Sequence, residues 1–92
     1  MGFFWNTPKP RVTNQEWVKV RTSLFNRGFT KKEISWIEGF FQSSLNELRP
    51  QDAGIQSEEI AQNIAWMYAN PTKHKIPEKK IPLLEDALRD RL

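Results

Sequence analysis

The chain has 92 residues and a mass of 10.9 kDa, with 38% hydrophobic and 27% charged residues. That describes one small globular domain, at a size where stability is on the order of a few kcal/mol and a deep substrate pocket competes with the core. The absence of cysteine excludes disulfides, thiolate nucleophiles and cysteine-ligated zinc, and no apolar run approaches the roughly 18 residues of a membrane span.

The net charge of +3 hides a segregation along the chain: residues 1–32 carry seven basic groups against Glu16 alone, whereas residues 33–69 carry Arg49 against six acids. An electrically polarised molecule is expected, suited to oriented association with charged partners.

Residues 1–12 contain Pro8 and Pro10 and no helical period, which predicts an extended N-terminal arm ahead of a single helical domain over residues 13–92. Met1-Gly2-Phe3-Phe4-Trp5 has no charged leader and no long apolar stretch, so a secretory signal is not expected. Asn6 stands where myristoylation requires serine or threonine. A cytoplasmic location is the expectation.

Four helices are predicted, near 14–27, 30–48, 57–69 and 78–91. The first opens at Thr13 with Glu16 three positions on, a reciprocal capping box stapled by Val12 and Trp17, and Gly28 closes it in the left-handed conformation. Thr30 and Glu33 repeat the box for the second helix, with Phe29 and Ile34 as its staple, and Pro50 stops that helix before Arg49. Ser57 is the expected cap of the third helix, with Glu58 and Glu59 in its first turn, and Asn70-Pro71 ends it. Thr72–Ile76 reads as a basic loop. Pro82 falls in the first turns of the fourth helix or divides it from a short preceding turn.

No β-branched alternation is present, so no sheet is expected. The fold class is all-α, a compact bundle of four helices.

At ~100° per residue the apolar stripes are Trp17, Val20 and Leu24; Ile34, Ile37, Phe41, Leu45 and Leu48; Ile60, Ile64 and Met67; and Ile81, Leu84 and Leu88 with Leu92 at the margin. Val18 and Phe25 lie beside the first stripe. Arg21 and Glu38 fall inside apolar arcs at matching distances from the joint at Phe29, which predicts a partly buried ion pair between antiparallel helices. Gly28-Phe29 through Glu33-Ile34 is echoed 26 positions later by Gly54-Ile55 through Glu59-Ile60, with Phe40-Phe41 aligning with Trp66-Met67.

Catalytic chemistry has little support, and an enzyme is not expected. His74, the sole histidine, sits between Lys73 and Lys75 and is read as a solvated loop residue. Adjacent carboxylates such as Glu58 and Glu59 point about 100° apart on a helix and cannot face one substrate. No cofactor or metal is expected.

Phe40-Phe41, Asp52–Ile55 and Glu59-Ile60 loosely resemble the helix–loop–helix of EF-hand proteins. With Glu59 as the last ligand, however, Leu48 and Pro50 occupy the first and third positions and offer no side-chain oxygen. Arg27–Ser35 and Ser57–Ala61 resemble the helix starts of bacterial helix-turn-helix regulators, but no glycine turn and capped recognition helix follow either segment.

Two functional readings remain. Trp36, Phe40 and Trp66 lie off the core stripes and predict an apolar surface for another protein or for a second copy in a homodimer, with Phe3, Phe4 or Trp5 of the arm as its cover. Alternatively, Lys9, Arg11, Lys19, Arg27, Lys31 and Lys32 contact the phosphate backbone of a nucleic acid.

Overall fold

The computed structural model describes residues 11–45 and 54–92. Its elements in chain order are β1 (Arg11–Val12), α1 (Asn14–Asn26), α2 (Lys31–Leu45), β2 (Ile55–Gln56), α3 (Ser57–Ala69), a single 3-10 turn (Glu78–Lys80) and α4 (Ile81–Arg89). The four predicted helices are all present. Residues 46–48, the expected last turn of the second helix, lie outside the described residues.

The α1–α2 joint follows from its capping residues. Thr13 Oγ1 accepts from the Glu16 amide at 3.3 Å. Gly28 takes φ +94°, the left-handed region that a side chain rarely adopts. The Phe29 amide then donates to Leu24 O and the Gly28 amide to Phe25 O. This is the paired bond pattern that satisfies the last carbonyls of a helix. Across the joint, the Thr30 amide donates to Glu33 Oε1 at 2.8 Å and the Glu33 amide to Thr30 Oγ1 at 3.1 Å, so the second capping box closes in both directions.

Two expectations are corrected at the start of α3. Gln56, not Ser57, occupies the cap, and its amide donates to Glu59 Oε1. Gln56 also belongs to a strand. Arg11–Val12 pairs antiparallel with Ile55–Gln56, with Val12 opposite Ile55. A two-residue strand is too short for alternation to register in a sequence, and its pairing is nonlocal. The last two residues of the predicted arm are therefore part of the fold, with Val12 and Ile55 fully buried. Gly54 permits the contact: its φ is +107°, and a Cβ there would stand 2.8 Å from Val12 O.

The described members of the predicted stripes, Leu92 aside, form one core, with α4 packed against α1 and α3, and α1 against α2; Leu48 lies outside the described residues. Phe29, Ile76 and Ala87 complete it. Leu92, at the margin of the last stripe, is exposed, as are Val18 and Phe25. The Arg21–Glu38 pair forms at 4.0 Å, but both side chains are nearly half exposed. Antiparallel pairing is right and burial is not, because the arc that holds these residues opens onto a groove instead of the core. The sequestered ion pair is elsewhere. Lys80 Nζ meets Glu33 Oε1 at 2.8 Å, donates to Gly28 O and stands over the Phe29 ring, fastening the lead into α4 onto the α1–α2 joint.

Candidate functional site

On α2, Lys32, Trp36 and Phe40 recur at four-residue intervals and so occupy one row along the helix. The Trp36 and Phe40 rings stack with centroids 4.9 Å apart and planes 16° from parallel. From α3, Trp66 approaches Phe40 at 5.4 Å. Phe40 also meets the buried Phe41 edge-on at 5.2 Å, which ties the group to the core. The three predicted surface aromatics therefore form one cluster, half-buried and packed against the core.

The expected cover, Phe3, Phe4 and Trp5, lies outside the described residues. A different group fills that role in part. His74 is only 8% exposed, with its ring 5.7 Å from Trp36 and 6.2 Å from Trp66. The reading of His74 as a solvated residue is thus overturned.

Both ring nitrogens of His74 are used. The Ile76 amide donates to Nδ1 at 3.2 Å, so Nδ1 carries no proton, and Nε2 donates to Met67 O at 2.9 Å. This bonding fixes the orientation of the ring and pins the loop after α3 to that helix. His74 and Ile76 are buried while the lysines on either side of His74 are exposed, a division that the charged sequence around the ring does not announce.

Beside the cluster lies a cleft of about 410 Å³, walled by Lys32 and Trp36 on α2 and by Lys73, His74 and Lys75 of the loop. Glu33 also lines it. Burial favours the protonated acid at Glu33, but hydrogen bonds from Lys80 and the Thr30 amide, with the Lys80 charge, hold its pKa below the ordinary value. Its charge is thereby matched inside the protein.

The lysines of the cleft are not matched. Among the described residues, Arg21, Arg27, Lys80, Arg89 and Arg91 each reach a carboxylate, as does Lys19. Lys31, Lys32, Lys73, Lys75 and Lys79 reach none, and three of these five line the cleft.

The predicted phosphate contacts do not gather in this way. Lys9 lies outside the described residues. Arg11 is in β1, at the far end of α1 from Arg27, with about 20 Å of helix between them. Lys19 stands 3.6 Å from Glu16, and Arg27 bonds Asp90 at 3.1 Å. Lys31 lines a separate apolar groove with Phe25 and Ile34. Only Lys32 joins the aromatic cleft.

No group of three or more histidine or acidic side chains is placed to hold a metal ion among the described residues, and no described helix is long and apolar enough to cross a membrane. Compared with known protein families, curated proteins and solved structures, the chain matches none.

Proposed function

We propose that this chain is a non-enzymatic protein-interaction module whose working surface is the cluster of Trp36, Phe40 and Trp66 with its lysine border. The observation that carries this reading is the convergence of half-buried aromatics from α2 and α3 beside three cations without acidic partners. Aromatic side chains supply large contact area at low entropic cost, and a desolvated aromatic centre with a charged rim is the usual anatomy of a protein interface. His74 supports the non-enzymatic part, because its two nitrogens are already committed to backbone groups and neither is free to move a proton.

The test is affinity capture from the native host's lysate, with and without nuclease, using the intact chain and Trp36→Ala, with circular dichroism to confirm that the variant is folded. Protein partners that survive nuclease and disappear with Trp36→Ala support the reading. Partners unchanged by the substitution sink it. A nuclease-sensitive set whose binding falls steeply with salt would transfer the assignment to nucleic acid, since counterion release makes phosphate contacts strongly salt-dependent.

A further inference from the structure

We infer that the cleft over Trp36 receives an aromatic side chain flanked by carboxylates in a segment of the partner protein; this rests on the interaction reading above. The first observation is an unfinished stack. Phe40 covers one face of Trp36 at 4.9 Å in near-parallel geometry, and the cleft is lined by Trp36 but not by Phe40. The cleft meets Trp36 between Lys32 of the same row and His74, whose ring stands 5.7 Å from the indole. A ring inserted there extends the series Trp66, Phe40, Trp36 by one member, at the 4.5–7 Å centroid spacing that aromatic pairs prefer.

The second observation is charge. Lys32, Lys73 and Lys75 border the cleft with no acidic partner, while Glu33 is already held by Lys80 and the Thr30 amide. The occupant must bring negative charge. The third is position. Lys73 and Lys75 are exposed on either side of the buried His74, and both border the cleft that Trp36 lines. A ring seated against Trp36 brings the carboxylates of its sequence neighbours within reach of these long, flexible side chains. Lysine ammonium groups act as mobile point charges, which suits separate carboxylates better than the forked recognition of a single phosphate by arginine. The cleft is also held in shape in advance, because both nitrogens of His74 anchor its loop wall to α3 and to the chain beyond.

The experiment titrates the intact protein with a capped peptide carrying one phenylalanine among aspartates and glutamates, followed by NMR of the tryptophan indole and backbone amide signals. Two control peptides replace the phenylalanine by alanine or the acids by lysines, and a short oligothymidylate represents phosphate-bearing single strands. The expected result is a shift of the Trp36 indole and of the amides of residues 72–76, with affinity about tenfold weaker for the alanine peptide and none for the lysine peptide. Lys73→Glu/Lys75→Glu changes two exposed side chains, leaves the helices intact and weakens binding by at least about tenfold.

The inference is overturned by no shift at millimolar peptide, by equal binding of the alanine control, or by preferential binding of the oligothymidylate. In the lysate capture, partners lost with Trp36→Ala but kept by Lys73→Glu/Lys75→Glu reject this inference and leave the interaction reading standing. Partners kept by both variants reject both.

Discussion

Glu33 works at three levels: it caps α2, neutralises Lys80 and keeps the cleft wall from repelling an anion. Because its folded pKa is lowered, its contribution is fully present above the unfolded value near 4.5 and is lost as pH falls through the folded value. Glu33→Gln should therefore destabilise the protein by about 1–3 kcal/mol at neutral pH, since Lys80 would be left nearly buried without its counter-charge. Urea denaturation at a series of pH values should show that gap closing as the medium is acidified below pH 4.5. A gap that stays constant would show that the charge is irrelevant.

The two left-handed glycines separate in the same way. At Gly28 an added Cβ meets open space, so Gly28→Ala carries only the conformational penalty, about 1 kcal/mol. At Gly54 it would press on Val12 O at 2.8 Å, so Gly54→Ala should cost at least about 1 kcal/mol more and loosen the strand pair. Equal losses for the two variants in thermal denaturation would contradict that difference.

Among the elements, the start of α1 and the two helix boundaries at residues 26–31 were readable because what sets each lies within five positions: Thr13 with Glu16, Thr30 with Glu33, and the glycine between the helices. The echo between Gly28 and Gly54 was readable for the same reason. Both glycines are left-handed, both are followed by a buried residue, and Glu33 and Glu59 each accept from a backbone amide at the start of the helix that follows. Its downstream half also has a structural counterpart, since the matched Phe40 and Trp66 meet across the cluster and Phe41 and Met67 both lie in the core.

Elements fixed by distant partners were not readable. The β1–β2 pair, the Lys80–Glu33 bridge and the packing of His74 near two tryptophans each depend on segments that come together only in three dimensions. Of the candidate site, the three aromatics are legible from their angles on two helices, whereas the lysines of the bordering loop conceal the burial of His74 between them. The Arg21–Glu38 error has a measurable consequence. At 4.0 Å and nearly half exposed, that pair should couple by less than about 1 kcal/mol in a double-mutant cycle with Arg21→Met and Glu38→Leu. A coupling of several kcal/mol would mean that it is desolvated in solution.

At the scale of the molecule, folding brings part of the segregated charge together among the described residues. Acids of the middle segment meet bases from either side, Glu33 with Lys80 and Glu38 with Arg21, and Arg27 of the basic first third meets Asp90 near the C-terminus. What survives is local: among the described residues five lysines reach no carboxylate, and three of them border the aromatic cleft. A polarised sequence has become a fold with a cluster of free lysines at the edge of an aromatic site.

The β1–β2 pairing also dictates an order of assembly. Val12 and Ile55 are about 43 residues apart, and the entropy of closing a loop rises by roughly 0.6 kcal/mol with each doubling of its length. The α1–α2 corner closes over a few residues and should form early; the strand pair can form only after α2 has turned the chain back. Contacts made after the rate-limiting step slow unfolding without speeding folding. Val12→Ala, which removes about 2 kcal/mol of buried side chain, should therefore raise the unfolding rate ~30-fold and leave the folding rate nearly unchanged in stopped-flow kinetics. If the folding limb slows instead, the strand pair belongs to the nucleus. On the expected result, the first strand is the latch that closes last, and it sets how long the native protein stays shut.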